Sequence, residues 1–305
     1  MHDYKKICLF LFVISLIIFF LIFAFYLSKD LSPLSTNIPP SSSSETEKII
    51  LPERTNILVL GDDARPGEGR SRTDTIMLIS LEEKSKQMAI LSIPRDTRVA
   101  IPGRGYDRLN AAYAYGGADL TIQTVAELLD LEIHYYIHTN FDGFKDIIDT
   151  LGGVTINVDR NMYYPLEGIH LKKGEQLLDG DKALQFVRYR EYPLGDITRT
   201  EQQQRLLKAI ANETLQLSTF IKLPKLLPQL EAAVDTNFSI TDALLIVRLA
   251  KQFESPDIVT QTLPGTFQTI NGIEYWQVNI DEAKKVVRDL FKGITTSQIF
   301  ISPAS

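Results

Sequence analysis

Residues 7–27 form 21 consecutive positions without a charged side chain, and only Ser15 and Tyr26 among them carry a polar group of note. At about 1.5 Å of rise per residue such a run makes roughly 31 Å of helix, enough to cross the hydrocarbon core of a bilayer. Lys5 and Lys6 outweigh Asp3 on the N-terminal side, whereas Lys29 and Asp30 balance each other beyond it. The positive-inside bias then keeps residues 1–6 in the cytoplasm and puts the remainder of the chain outside the plasma membrane. A cleaved signal peptide is the rival reading. Its apolar stretch normally spans about 7–15 residues and ends in a small-residue cleavage site. Tyr26-Leu27-Ser28 is a poor site of that kind. The expectation is a single-pass signal-anchor with an extracytoplasmic domain.

Residues 28–54 are rich in Ser and Pro and poor in large apolar groups, as in a flexible spacer. The lone cysteine, Cys8, lies in the apolar run, so the folded part can hold neither a disulfide framework nor a cysteine-built zinc site. The net charge of −6 argues against general nucleic-acid binding, which needs a basic footprint.

From residue 55 the pattern alternates between strand and helix signals. Residues 56–60, 74–81 and 87–93 read as strands, and the short polar turn at 82–86 predicts an antiparallel hairpin from the second and third. Helical spacing covers 120–129, 142–150, 181–187, 200–217, 239–253 and 281–291. Residues 135–139, 154–158, 258–263 and 274–278 read as further strands. Strands and helices intermingle without strict alternation, which predicts an α/β domain with a mixed sheet covered by helices. Nothing inside 55–292 resembles a linker, so those residues form one domain, followed by a tail at 293–305.

Arginine is unevenly placed. Of 15 arginines, seven fall in 65–108 (Arg65, Arg70, Arg72, Arg95, Arg98, Arg104, Arg108) and four in 188–205 (Arg188, Arg190, Arg199, Arg205). The same stretches hold only Lys84 and Lys86 of the 17 lysines. A solvated basic surface would mix the two types; a preference for Arg suits planar, bidentate recognition of phosphate or carboxylate. Structural Arg–Asp pairing is the bland alternative. Several of these arginines adjoin strand ends, so three loops could share one rim of the sheet. Carboxylates at such a rim are costly beside an anion unless a divalent cation lies between them. Asp63 and Asp74 suit Mg²⁺ in that role, although Asp62 and Asp63 could instead make Asx turns. Arg188 and Arg190 would face the same way in an extended segment. Arg199 and Gln203 share a helix face. His134 and His138 also share a strand face, but no third ligand adjoins them, so they read as packing or surface residues.

In these segments the chain resembles the LytR-CpsA-Psr family of envelope phosphotransferases. The likeness rests on Asn-Ile-Leu-Val-Leu-Gly-Asp-Asp-Ala-Arg at 56–65, Arg-Thr-Asp-Thr at 72–75, Ser-Ile-Pro-Arg-Asp-Thr at 92–97 and Arg-Leu-Asn-Ala-Ala-Tyr-Ala-Tyr-Gly-Gly at 108–117. It continues through Asn-Phe-Asp-Gly-Phe at 140–144, Leu-Gly-Gly-Val at 151–154, residues 178–190 ending Val-Arg-Tyr-Arg, and Gly-Asp-Ile-Thr-Arg at 195–199. The resemblance implies a three-layer α/β/α sandwich around a twisted mixed sheet, with a polyprenyl chain in an apolar tunnel. It implies Asp63 and Asp74 as metal residues, with Mg²⁺ or Mn²⁺ as cofactor. It implies Arg72, Arg95, Arg188, Arg190, Arg199 and Gln203 as pyrophosphate contacts. Asp74, Arg95, Asp196 and Arg199 are the implied catalytic set, with Asp196 orienting an arginine or activating the acceptor hydroxyl. Two departures stand out. Asp62 adjoins Asp63, so either could be the ligand, and Gln202 stands where another arginine is usual.

The activity so implied moves a phosphoglycan from a polyprenyl-pyrophosphate carrier to a peptidoglycan acceptor at the membrane lipid surface, without nucleic acid. A non-catalytic module that binds lipid-linked glycan, a polyprenyl-pyrophosphate hydrolase and a transcriptional regulator are the alternatives.

Overall fold

The computed structural model describes residues 52–64, 69–192, 196–215, 233–250 and 258–300. The apolar run at 7–27, the spacer up to residue 51 and Arg65 lie outside the described residues. Among the described residues no helix is long and apolar enough to cross a membrane.

Strands β1 (Arg54–Gly61), β2 (Thr75–Glu82) and β3 (Gln87–Ser92) form an antiparallel meander, as the short turn at 82–86 predicts. A small hairpin, β4 (Arg98–Ile101) and β5 (Gly105–Arg108), then leads into helix α1 (Ala111–Leu129). Strand β6 (Tyr135–Thr139) returns parallel to β1. Helix α2 (Phe141–Leu151) follows, capped by the Asn140 side chain, which accepts from the Gly143 N–H at 3.0 Å. Next come β7 (Val154–Val158), β8 (Met162–Tyr164), β9 (Ile169–Leu171), β10 (Gly174–Leu178), α3 (Gly180–Arg188) and α4 (Asp196–Leu215). The chain continues with β11 (Asp235–Thr236), α5 (Ile240–Ala250), β12 (Ile258–Thr262), β13 (Thr266–Ile270), β14 (Ile273–Gln277) and α6 (Ile280–Leu290).

The central sheet has the order β11-β6-β1-β2-β3-β12, with parallel pairs at β1–β6 and β3–β12 and antiparallel pairs elsewhere. The mixed sheet expected from the sequence is therefore present. Strand alternation sends Leu58, Leu60, Leu78 and Leu91 to one face, where Val125 and Leu128 of α1 and Val286 and Val287 of α6 cover them. Each such side chain contributes about 1.5–3 kcal/mol by leaving water. On the opposite face Ile57, Leu81 and Met88 pack with Leu249 of α5.

Three features differ from the sequence expectation. Helix α1 begins at Ala111 rather than at residue 120. Its backbone breaks at Gly117 (φ 68°, ψ −154°), a conformation other residues avoid, so an unbroken helical period covers only the part after the break, where 120–129 lies. Strand β7 exists, but it pairs with β10 in a separate two-stranded sheet over a second core around Met162 and Phe186. The hairpins β4–β5 and β8–β9 and the strands β10, β11 and β13 carry no strand signal that the sequence reading uses.

Antiparallel neighbours bring opposite strand ends together, and this sets the site. Gly61 at the end of β1 lies opposite Thr75 at the start of β2 and Thr139 at the end of β6. Ser92 at the end of β3 lies opposite Met77 and Thr262. The loops after β1, before β2 and after β3 thus share one rim, as the arginine placement required.

Candidate active site

Asp74 closes the loop into β2, and its N–H donates to the Gly61 carbonyl at 2.7 Å. Across the rim Arg95 leaves β3, and its Nη1 donates to Asp74 Oδ1 in an ion pair. Its Nε lies 3.6 Å from Asp96 Oδ2. Arg199 reaches in from the first turn of α4, is only 5% exposed, and places Nη2 3.4 Å from the Asp74 carbonyl. One turn later Gln203 Nε2 donates to Thr75 Oγ1 at 2.8 Å. Asp74, Arg95, Arg199 and Gln203 therefore converge on one small polar pocket, walled on its far side by Phe267 and Trp276.

Behind this pocket the sheet is left unfilled. Val59 and Ile79 sit on central strands yet are only partly buried. They face Phe144 of α2, Leu184 of α3 and Leu207 and Ile210 of α4 across a cavity of about 250 Å³. Asp74 and Gln203 belong to the walls of both spaces. An apolar chamber and a guanidinium-lined pocket meet at these two residues. That arrangement suits an amphiphile with a hydrocarbon tail and an anionic head.

The two aspartates after β1 have different environments. Asp62 is 2% exposed; its Oδ2 lies 3.1 Å from His138 Nε2 and its Oδ1 accepts from the Ala64 N–H at 3.2 Å. Burial alone would raise its pKa, but hydrogen bonding and charge from His138, with Ser71 and the Ala64 amide, outweigh that and hold it below the usual carboxylate value. His138 also stacks on Tyr113 with ring centroids 4.4 Å apart. His134 accepts from the Asn56 N–H at 3.1 Å. Both histidines are thus engaged by partners within the fold. Asp63 is exposed. Among the described residues no three His, Cys, Asp or Glu side chains gather into a metal site. The Asp74–Gly61 backbone bond brings Asp63 and Asp74 to adjacent strand ends, and two carboxylates are a donor set of the kind taken by a cation that completes its shell with water and phosphate oxygens.

The remaining arginines are dispersed. Arg188 is the last residue of α3, so the segment 188–190 is not fully extended. Its Nη2 lies 3.2 Å from Glu167, and its guanidinium sits 5.2 Å above the ring of Phe141, a residue of the apolar chamber. Arg190 is exposed, beyond the buried Tyr189. Neither lines the pocket around Asp74. Arg72 is exposed and borders a different depression with Asp107, Arg108 and Glu274. Asp196 is the first residue of α4, one turn before Arg199.

Three consecutive glutamines on α4 point in three directions, because successive residues turn about 100°. Gln202 is buried and accepts from Arg205 Nη1 at 2.8 Å. Arg205 in turn lies 3.6 Å from Asp159 and donates to the Asn157 carbonyl, so it does not stand in for the arginine usual at 202. Gln203 faces the pocket. Gln204 is buried and donates to Ser92 Oγ at 2.9 Å and to the Gln261 carbonyl at 3.0 Å, fixing α4 against β3 and β12.

Phe267, Trp276 and Asp96 also line the pocket and are not among the residues expected there from the sequence. A signal for the first two was present: Asn271-Gly272, with φ of 52° and 79°, is a two-residue hairpin turn that joins β13 to β14.

A model of the LytR_cpsA_psr family matches residues 33–292. The chain is 37% identical over 263 residues to a protein of Oceanobacillus iheyensis named polyisoprenyl-teichoic acid–peptidoglycan teichoic acid transferase TagU, covering 84% of this chain and 81% of that one. Its fold matches the crystal structure of B. subtilis TagV with a TM-score of 0.70 and 30% identity, over 80% of this chain and 99% of that one. It also matches a LytR-CPS2A-psr family protein, YwtF (TagT), solved with bound octaprenyl pyrophosphate lipid. There the TM-score is 0.63 and the identity 29%, over 79% of this chain and 91% of that one.

Proposed function

The chain belongs to the LytR_cpsA_psr family, and from that premise we propose that it moves a phosphoglycan from a polyprenyl-pyrophosphate carrier to peptidoglycan. One observation carries this reading: the apolar chamber and the arginine pocket share Asp74 and Gln203. A polyprenyl tail would occupy the chamber and leave its pyrophosphate against Arg95 and Arg199. The relative solved with octaprenyl pyrophosphate bound supports a ligand of this class.

In the reaction a hydroxyl oxygen of the acceptor forms a bond to the phosphorus that carries the glycan. The bond from that phosphorus to the bridging oxygen breaks, and polyprenyl phosphate leaves with the electron pair. The hydroxyl proton passes to a base, for which Asp196 at the head of α4 is our candidate. Arg95 and Arg199 counter the charge that builds on the phosphate oxygens, where fixed donors lower the barrier most. Asp74 is hydrogen-bonded to Arg95, and substrate phosphate would compete for that guanidinium. Gln203, held by Thr75, donates at the boundary between tail and head. Arg72, Arg188 and Arg190 would contribute from the periphery. Asp63 and Asp74 would hold Mg²⁺ or Mn²⁺, and the metal, when bound, offsets phosphate charge. Residues 7–27 would anchor the domain to the outer face of the plasma membrane, close to a lipid-borne substrate.

The test is transfer by the full-length protein in detergent, supplied with labelled polyprenyl-pyrophosphate glycan, Mg²⁺ and peptidoglycan. Label in the peptidoglycan is the expected result. Tight lipid binding with neither transfer nor hydrolysis would reduce the protein to a binding module.

A further inference from the structure

The polar pocket has a second neighbour, on the side away from the apolar chamber. Hairpins β4–β5 and β13–β14 meet there around an open depression bordered by Arg72, Asp107, Arg108, Ile273 and Glu274. Contacts run from this depression to the pocket. Arg108 donates from Nε and Nη2 to the Glu274 carbonyl at 3.0 and 2.8 Å. Its Nε also lies 3.3 Å from Asp96, the residue beside Arg95. The Trp276 N–H donates to the Asp96 carbonyl at 2.8 Å. The wall of the pocket and the border of the depression are thus two parts of one hairpin.

Two exposed rings adjoin Asp107 of this border, Tyr106 as its neighbour in β5 and Tyr115 through a hydrogen bond. Tyr106 is 64% exposed with the Arg98 guanidinium 4.2 Å from its ring centre. Tyr115 is 41% exposed, has Arg104 5.2 Å from its ring centre, and donates its hydroxyl to Asp107 at 2.7 Å. Aromatic side chains left in water lose little rotamer freedom on binding, and their faces suit the apolar faces of pyranose rings.

We infer that this depression, with Tyr106, Tyr115, Arg72 and Arg108 around it, seats the glycan strand of the peptidoglycan acceptor. The inference rests on the transfer reading, and geometry selects the acceptor over the donor. In-line displacement needs the attacking hydroxyl opposite the leaving group. The leaving polyprenyl phosphate belongs to the chamber side of Asp74 and Gln203, so the acceptor enters from the side of Phe267 and Trp276. Charge agrees. Asp107 and Glu274 offset Arg72 and Arg108, so the border has no excess of positive charge to favour a polyphosphate chain. A strand of neutral pyranose rings with scattered carboxylates can use both signs.

Binding without catalysis separates this inference from the transfer reading. Full-length protein in detergent is titrated with purified uncrosslinked glycan strands, without donor, and in a parallel arm with free poly(glycerol phosphate). The parent should bind the strands. The double variant Tyr106→Ala/Ile273→Asp, with its melting temperature unchanged, should bind them about tenfold more weakly, equivalent to about 1.4 kcal/mol. Leu166→Asp, in the exposed turn between β8 and β9, should bind like the parent. Equal affinity of parent and double variant would overturn the inference, as would a loss confined to the poly(glycerol phosphate) arm. Strand binding that the double variant weakens, in a protein that transfers nothing, would support this site and contradict the transfer reading alone.

Discussion

Asp74 and Arg95 are joined across the rim by a hydrogen-bonded ion pair, with the carboxylate at the head of β2 and the guanidinium just after β3. Neither residue is fully buried, so the pair itself adds little to stability. Its position is what matters: both side chains line the pocket where the phosphate would sit. Asp74→Ala and Arg95→Ala should each lower transfer about 100- to 1000-fold, the usual loss when a charge-stabilising group is removed. Their unfolding midpoints should stay near the parent's. Steady-state transfer rates and urea titrations check this, and unchanged rates in both variants would remove these residues from the site.

Neighbouring glutamines should fail in different ways. Gln204 is buried, and its amide serves Ser92 and the Gln261 carbonyl. Gln204→Ala leaves those acceptors unpaired and should cost about 1–3 kcal/mol of stability. Among the described residues Gln203 bonds to the partly buried Thr75, so Gln203→Ala should cost about 1 kcal/mol or less while depressing transfer. Chemical denaturation of both variants, run beside the transfer assay, tests the contrast.

Filling the chamber should select against isoprenoid donors. Leu207 on α4 faces the cavity of about 250 Å³. Leu207→Trp should lower kcat/KM for a polyprenyl-linked donor about tenfold, a loss of about 1.4 kcal/mol. A water-soluble donor with only a short alkyl tail should be spared. Equal losses for both donors would mean that the chamber is not the tail's seat.

Acid stability should report the Asp62–His138 contact. The folded carboxyl titrates below its unfolded value of 3.8. Its contribution is therefore complete above that pH and disappears as pH falls through the lower folded value. Urea midpoints measured downward from pH 6 should fall less steeply below pH 4 in Asp62→Asn than in the parent. Parallel curves would show that His138 does not hold the carboxylate.

The rim and its arginines were legible in the sequence because they depend on local signals. A short polar turn fixed the β2–β3 hairpin, and apolar runs ending in Gly61 and Ser92 fixed where the loops begin. The register then brought the loops of Asp74 and Arg95 together, whereas Arg199 comes in with the docking of α4 on β3 and β12. The chamber was not legible. Val59, Ile79 and Leu207 have the same apolar pattern as Leu58 and Leu78, and only three-dimensional packing shows that nothing fills the space before them. Arg72 was misleading for the opposite reason. Its place two residues before Asp74 suggested a shared pocket, yet its exposed side chain borders the depression beside β5 and β14. The hairpin turn at Asn271-Gly272 was the overlooked signal, and it shapes both Trp276's wall and that depression.

Phosphoryl transfer and transfer of the sugar alone release different lipids, and the identity of the released lipid decides between them. A single reaction of the full-length protein with polyprenyl-pyrophosphate glycan and peptidoglycan, resolved by mass spectrometry, measures it. Attack at phosphorus predicts polyprenyl monophosphate in step with glycan attached through a phosphodiester. Release of polyprenyl pyrophosphate, with the glycan attached without phosphorus, would contradict it.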